Sequence, residues 1–359
     1  MSDSLQWIEP GRRFGFDDLV FWRRRGEAPF EAVAAGIDTI VVGPHASAAF
    51  PAELRPFISP GLTRRKQFDF SDVMTASLGR RWAEADPHVV YIENPLSRVV
   101  LDPNRARPAD PIGALREFYA RLARQRAGET TSFSGVDVIR PITFGGEDVI
   151  VEPADESGWR ALGAALAVAA ANGFDAYRGC CDRVLATVLA ARRTGAPLRL
   201  ISLHDTMNTK MRPDGAIVVE RPESDRLPRW VNFGNKGDAQ GEAEADPLTI
   251  GAAEMRRIAR AWADAFGLDE ARRATEITLN RPYKGAFESV HYGARLSALG
   301  EPSVGAVQAE FLRETLLGPA ATAHLHQPGE DWPAVDAPHI GRIATALAVA
   351  GAELRQSAR

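Results

Sequence analysis

The sequence has only two cysteines among its 359 residues, and they are adjacent, at Cys180 and Cys181. Adjacent cysteines cannot supply a disulfide framework, and two thiols cannot form a zinc site with several cysteine ligands. The scarcity of cysteine is typical of a reducing compartment, so we expect a cytoplasmic location. Thiol catalysis at this pair is disfavoured, because the segment is predicted to be helical and has no evident histidine partner.

Long apolar runs and an excess of positive charge are also missing. No segment approaches the roughly 20 apolar residues that cross a bilayer, and the first residues do not resemble a secretion signal. The formal net charge is −4, and the basic run Arg23 to Arg25 is too short to neutralise the phosphates of a nucleic acid. We therefore expect no membrane insertion and no nucleic-acid partner, and we make no prediction of oligomeric state.

The composition, with 45% hydrophobic residues, is that of a globular protein, and we predict one α/β domain over residues 1–359. Runs rich in Val and Ile alternate with helical patterns, which indicates a mixed, mostly parallel sheet with helices on both faces. The predicted strands are Thr39 to Val42, His88 to Ile92, Val99 to Leu101, Leu198 to Leu203, Ile217 to Val219, Glu276 to Leu279 and Val304 to Val307. The predicted helices are Phe70 to Glu84, Ile112 to Arg126, Glu156 to Asn172, Asp182 to Arg193, Ile250 to Phe266, Gly305 onward, and Ile340 to Ala350.

Four segments are predicted to lie outside the core of that domain. They are an N-terminal extension (1–37), a C-terminal tail and helix (319–359), and two loop excursions (128–153 and 212–246). The two excursions are rich in turn-forming and polar residues. Because long loops beside a sheet often form active-site walls, we expect both excursions to surround the site.

Two histidines follow apolar strands and are candidate zinc ligands. His45 comes after Thr-Ile-Val-Val-Gly-Pro, and His204 ends the run Leu-Arg-Leu-Ile-Ser-Leu-His. Ligands in open α/β sheets bind at the carboxyl edge of the strands, and neutral imidazole is a good ligand for zinc. A catalytic zinc also needs a third ligand, commonly a carboxylate. The candidates are Glu53, Asp69 and Asp72, of which the last two are also suited to capping a helix.

Three further segments carry residues suited to binding or catalysis. Arg98, Asn104 and Arg105 flank a short apolar run, and guanidinium groups bind carboxylates and polarise carbonyls. Glu310 follows the last predicted strand at the start of a predicted helix, where a carboxylate can act as a general base. The segment from Asn280 to Ala286 and the following His291-Tyr292-Gly293 suggest a loop that closes over a ligand; its candidate binding residues are Asn280, Tyr283, Lys284 and His291.

Taken in order, these segments resemble the N-formylglutamate amidohydrolase family from about residue 38 to about residue 318. The resemblance is carried by Pro-His, Ser-Arg-x-x-x-Asp-x-Asn-Arg, His-Asp, Asn-x-Pro-Tyr-Lys-Gly, His-Tyr-Gly and Gln-x-Glu. It implies a three-layer α/β/α sandwich, shared with zinc carboxypeptidases and aspartoacylase. It also implies a Zn²⁺ cofactor and hydrolysis of a small carboxylate-bearing amide.

The resemblance further implies roles for individual residues. The zinc ligands are His45, His204 and an acidic residue, for which Asp69 matches best and Asp72 is the reserve. Glu310 is the general base and acid, and Arg98, Asn104 and Arg105 contact the carbonyl or carboxylate of the substrate.

The sequence also departs from the usual pattern of the family. It has Ala46-Ser47 after Pro-His, Ala286 after Lys-Gly, and Ser289-Val290 where Thr-Arg commonly precedes His-Tyr-Gly. The missing arginine leaves the contact to a glutamate side chain unassigned, so we predict the reaction class and leave the acyl group open. The alternatives are a carboxypeptidase or deacylase with a larger substrate, and a binding protein that has lost catalysis.

Overall fold

In the computed structural model, which describes residues 5–23 and 25–356, a seven-stranded sheet forms the centre of the molecule. The strands of the chain are β1 (Trp7–Ile8), β2 (Val20–Trp22), β3 (Thr39–Gly43), β4 (Phe50–Pro51), β5 (Val89–Glu93), β6 (Leu198–Thr206), β7 (Thr209–Met211), β8 (Ile217–Glu220), β9 (Val231–Gly234), β10 (Ile277–Leu279) and β11 (Val304–Leu312). The sheet order is β10-β9-β11-β6-β3-β5-β2. Strands β1 with β4 and β7 with β8 form two small separate pairs.

The central sheet is mixed and mostly parallel, as the sequence predicts. Strands β11, β6, β3 and β5 run parallel to one another, whereas β2 and β9 pair antiparallel with β5 and β11. The four parallel strands are almost wholly buried, which explains why they appear in the sequence as continuous apolar runs rather than as alternating ones. Their carboxyl ends meet at one edge of the sheet, where the polar residues described below follow.

The described ranges contain thirteen α-helices, and some of them cover both faces of this sheet. They are α1 (Phe16–Leu19), α2 (Phe30–Val33), α3 (Arg64–Asp69), α4 (Met74–Ala85), α5 (Pro111–Arg126), α6 (Glu156–Ala169), α7 (Asp175–Ala191), α8 (Ala252–Ala265), α9 (Glu270–Glu276), α10 (Phe287–Ser297), α11 (Arg313–Leu317), α12 (Pro319–Leu325) and α13 (Ala337–Gln356). Helices α4, α8 and α13 pack on one face, and α7 and α10 on the other. Sheet and helices together form an α/β sandwich. Across the described ranges, no helix has both the length and the apolarity required to cross a membrane.

Two predictions, one strand and one helix, were wrong, and one correctly predicted strand lies outside the central sheet. Residues Val99 to Leu101 form a turn rather than a strand, because Val100 N–H bonds back to Ser97 and the apolar side chains pack beside α5. The strand at Ile217 belongs to the small β7–β8 hairpin and not to the central sheet. The helix expected from Gly305 begins only at Arg313, because β11 pairs with all nine residues of β6.

Two strands of the sheet come from segments that were predicted to lie outside the core. Strand β2, within residues 1–37, forms one edge of the sheet, and β9, within residues 212–246, lies between β10 and β11. Each is four residues or fewer. Such short strands give too little hydrophobic periodicity to be recognised in a sequence.

Candidate active site

The two predicted strand-end histidines meet at the carboxyl edge of adjacent strands. Because β3 pairs with β6, His45, two residues after β3, is brought beside His204 near the end of β6. Their rings lie 5.0 Å apart between centroids, and both side chains are buried. The parallel topology therefore places two imidazoles side by side, as the sequence predicts.

Asp72 completes a compact group of three possible metal ligands. Its Oδ2 lies 3.2 Å from His45 Nδ1 and 2.9 Å from His204 Nδ1. One ligand atom from each residue lies within 4.8 Å of the others, a spacing that a single metal ion can bridge. Burial opposes the negative charge of Asp72, but the two imidazoles outweigh it and lower the pKa of this carboxyl group.

The structure favours Asp72 as the acidic member of this group, whereas the family resemblance implied Asp69 first and Asp72 as the reserve. Asp69 ends α3, and its carboxylate lies 3.4 Å from Nη1 of Arg313 rather than beside the histidines. Glu53, the third candidate, accepts a hydrogen bond from Gly11 N–H near the surface. Asp72 is three positions further along the chain, in the turn between α3 and α4, and its side chain faces the two histidines instead.

Asp102, to which the sequence analysis assigned no role, forms a hydrogen bond with His45 on the side of the ring away from Asp72. Nε2 of His45 lies 2.7 Å from Asp102 Oδ1, so the proton on Nε2 is directed at the carboxylate and Nδ1 faces Asp72. Asp102 also accepts hydrogen bonds from Arg98 Nη2 and Asn104 N, each at 2.7 Å. This carboxylate thereby fixes the imidazole and two predicted substrate-binding residues at once. The sequence signal that could have identified Asp102 is its position between Arg98 and Asn104 in that motif.

A second buried carboxylate fixes the segment that carries Asp72. Asp205 Oδ2 accepts hydrogen bonds from Met74 N at 3.0 Å and Thr75 N at 3.2 Å, at the start of α4. Arg313 bonds to Asp205 through Nε and to Ser71 O through Nη2, the latter at 2.8 Å. Burial raises the pKa of Asp205 to about 6, although Arg313 acts in the opposite direction. The chain on both sides of Asp72 is therefore tied to β6 and α11.

Glu310 lies on β11, not at the start of a helix as the sequence predicted. It pairs in register with His204 on β6, so the two side chains are neighbours on one face of the sheet. Gln308, two residues earlier on the same face, donates from Nε2 to Glu310 Oε2 at 3.0 Å. Burial raises the pKa of Glu310 to about 7. A carboxyl group with this pKa can both accept and return a proton near neutral pH.

The two histidines, Asp72 and Glu310 line one cavity of about 230 Å³. The cavity is lined by His45, Asp72, Arg98, Asn104, Arg105, Phe144, His204, Thr206, Arg221, Tyr283, Lys284, Gly285, Ala286, Gln308 and Glu310. Five predicted substrate-binding residues are among them: Arg98, Asn104, Arg105, Tyr283 and Lys284. The more exposed part of the lining, which we call the entrance, holds the cationic side chains Arg105, Arg221 and Lys284. Arg105 and Lys284 are paired with Asp137 and Glu244, which do not line the cavity.

Two predicted binding residues lie elsewhere. Asn280 is buried in a loop, where its amide side chain bonds to Asn235 and to Asp238 O, so it supports the backbone rather than the cavity. His291 is exposed on α10 and stacks on Phe287, with 5.4 Å between ring centroids. Neither position matches the prediction, because a loop motif does not reveal which side chains face inward.

Arg221 and Phe144 are cavity residues that the sequence analysis missed. Arg221 follows β8, and its Nη1 lies 3.4 Å from Tyr283 Oη, while its buried Nε has no hydrogen-bond partner among the described residues. Phe144, 41% exposed, lies in the 128–153 excursion and packs against Arg98 and Arg140. Both belong to the two excursions that were expected to form walls, but no motif distinguished them.

Comparison with known proteins identifies the family of the chain and a similar fold. The sequence profile described as N-formylglutamate amidohydrolase matches residues 37–316. The fold is similar to a crystal structure of N-formylglutamate amidohydrolase from Ralstonia eutropha JMP134, with a TM-score of 0.51 and 16% identity over 89% of this chain and 94% of that one. A search of curated protein sequences found no match. Since the profile covers more than half of the chain and the buried site lies within it, the chain belongs to the N-formylglutamate amidohydrolase family.

Proposed function

We propose that the protein hydrolyses the amide bond of a small, carboxylate-bearing N-acyl amino acid, with a zinc ion held by His45, Asp72 and His204. The observation that carries this proposal is the convergence of these three side chains beside Glu310 in one buried cavity. Membership of an amidohydrolase family supports the reaction class. The identities of the metal and of the substrate are tested by the experiments described below.

The donor set fits a catalytic zinc site. Two imidazole nitrogens and one carboxylate are a common set of three protein ligands for such a site. Asp102 directs the Nε2 proton of His45 away from the group, which leaves Nδ1 to bind a cation. When bound, zinc supplies Lewis-acid activation of water and of the amide carbonyl.

The protein's own residues supply the proton transfers and the charge stabilisation. Glu310 removes a proton from the attacking water and returns it to the leaving nitrogen, for which its pKa of about 7 is suited. Arg98, fixed by Asp102, lies in the same cavity and stabilises negative charge that develops on the carbonyl oxygen. The substrate carboxylate binds toward the cationic entrance, at Arg105, Arg221 and Lys284.

The proposal is tested first by metal content and then by substrate screening. Wild-type protein and His204→Ala, purified without added zinc, are compared by elemental analysis, with His291→Ala as a control because that histidine is exposed and outside the cavity. We expect about one zinc per chain in wild type and in His291→Ala, and its loss in His204→Ala. Hydrolysis of N-formyl, N-acetyl and longer N-acyl amino acids then identifies the acyl group. Failure of wild type to bind zinc after reconstitution would contradict the proposal.

A further inference from the structure

The hydrogen bonds of the His204 imidazole differ from those of the His45 imidazole. Nε2 of His204 lies 3.0 Å from the hydroxyl oxygen of Ser202, which is two residues earlier on the same face of β6. That hydroxyl in turn lies 3.0 Å from Oε2 of Glu288, in the first turn of α10. Ser202 and Glu288 are fully buried. Nε2 of His204 is therefore connected to the carboxylate of Glu288 through a hydroxyl, whereas Nε2 of His45 contacts the carboxylate of Asp102 directly.

The direction of these hydrogen bonds follows from the chemistry of the groups. The Ser202 hydroxyl has a single proton, which it donates to Glu288 Oε2, so it uses a lone pair to accept from His204. Nε2 of His204 must then carry the proton. Nδ1, which lies 2.9 Å from Asp72, is left without one and can bind a metal.

Two further groups contact the carboxylate of Glu288. Tyr177 Oη donates to Glu288 Oε1 at 2.8 Å, and Nη1 of Arg178 lies 3.7 Å from the same oxygen. The backbone N–H of Glu288 also donates to Asn104 Oδ1 at 3.0 Å, which holds a cavity residue in place. The Nδ2 of Asn104, 3.4 Å from His204 Nε2, is a donor and cannot accept the imidazole proton.

We propose that Glu288 is a positioning residue that acts through Ser202 to keep the proton of His204 on Nε2, so that Nδ1 is available to the metal. The inference rests on the proposed function, because it concerns the same metal site. If Glu288 had only a general structural role, its effect on metal binding would not depend on Ser202. The proposal requires that this effect depend on the hydroxyl of Ser202.

The zinc affinity of four variants tests this dependence, measured by competition with a chromophoric chelator. Ser202→Ala removes the hydroxyl and is expected to weaken zinc binding by about 10–100-fold, the usual cost of losing the partner of a ligating histidine. Glu288→Gln keeps the size of the side chain and should give a smaller loss, because the amide oxygen still accepts. In the double variant, Glu288→Gln should add almost nothing to Ser202→Ala, since the pathway is already interrupted.

The control is Ser289→Ala, which removes a neighbouring buried hydroxyl that bonds to Ala286 O instead of facing His204. It should retain wild-type affinity. A spectroscopic measurement completes the test: ¹⁵N–¹H spectra of the zinc-loaded, histidine-labelled protein should show a slowly exchanging Nε2 proton on His204. The exchange rate of that proton should be higher in Ser202→Ala than in wild type, and it should be unchanged in Ser289→Ala.

The outcomes separate the inference from the proposed function. If wild type binds zinc tightly and Ser202→Ala binds it equally well, the inference is wrong and the proposed function stands. Losses that multiply in the double variant would also overturn it, because Glu288 would then act independently of Ser202. If wild type binds no zinc, the proposed function fails, and the inference fails with it.

Discussion

The bottom of the cavity and its entrance are built in different ways. The site floor, which we define as His45, Asp72, His204 and Glu310, is buried. His204 and Glu310 lie on strands of the central sheet, His45 follows one, and Asp72 lies in the turn before α4, which packs on the sheet. The site rim, defined as Arg105, Arg221, Tyr283 and Lys284, comes from loops and is half-buried or exposed. A rigid floor suits chemistry that needs fixed distances, and a loop-borne rim suits the selection of substrates. Substitutions in the floor should therefore reduce turnover or metal binding, and substitutions in the rim should alter substrate affinity.

The largest effect is expected from Glu310→Gln. Removal of a general base costs about 10²–10⁴-fold in turnover, and the amide cannot accept a proton from water. Zinc content should remain at the wild-type level, because Glu310 is not in the ligand group. Glu314→Gln is the control, since that carboxylate accepts a hydrogen bond from Asn208 N outside the cavity. An active Glu310→Gln protein would remove Glu310 from the mechanism.

The next largest effect distinguishes the two candidate acidic ligands. Asp72→Asn should weaken zinc binding by more than the roughly 10–100-fold expected for a residue that only orients a ligand. Asp69→Asn, which alters a carboxylate facing Arg313, should retain zinc binding. Chelator competition measures both affinities. The opposite result would restore Asp69 as the ligand and show that the chain before α4 rearranges on metal binding.

The pH dependence should report the protonation of Glu310. The proposed mechanism needs the deprotonated carboxylate, so kcat/KM should fall as pH decreases through the pKa of this group. That pKa is raised to about 7 by burial, and a bound cation would lower it, so the decline should lie at or below neutral pH. Initial rates across a pH series measure this, and the decline should be absent from the residual activity of Glu310→Gln. A decline that persists in this variant would assign it to another group.

The two regions also differ in how well the sequence predicted them. His45 and His204 could be placed because an apolar run that ends in histidine marks the edge of a buried parallel strand. Glu310 was chosen correctly as a cavity residue but assigned to a helix, since the polar positions Gln308 and Glu310 interrupt the apolar run while the strand continues. Asp69 and Asp72 could not be separated, because both precede the same helix and the direction of each side chain depends on tertiary contacts.

The rim was less predictable for a physical reason. Loop side chains point according to backbone turns and distant contacts, and these leave no periodic pattern in the sequence. Thus Tyr283 and Lys284 reach the cavity, whereas Asn280 turns away to support the loop. Arg221 gave no signal at all, because its position depends on the β7–β8 hairpin, which the sequence analysis had not distinguished from the central sheet.

The smallest effect, and the sharpest test of the rim, is expected from Arg221→Met. Arg105 and Lys284 already form ion pairs with Asp137 and Glu244, but Arg221 has no ion pair with any described residue. A substrate carboxylate would therefore bind Arg221 without breaking an existing pair. Losing one charge-assisted hydrogen bond costs about 1.5 kcal/mol, so KM should rise about tenfold while kcat changes little.

The matched control for Arg221→Met is Arg212→Met. Arg212 lies in the same excursion, but its guanidinium pairs with Asp214 at the surface, 3.8 Å away, and does not line the cavity. Its replacement should leave both kinetic constants unchanged. A substrate analogue in which a neutral carboxamide replaces the carboxylate sharpens the comparison. Wild type and Arg221→Met should hydrolyse this analogue with equal KM. If Arg221→Met instead lowers kcat and leaves KM unchanged, Arg221 acts on the transition state, and the division between a catalytic floor and a binding rim does not hold at this residue.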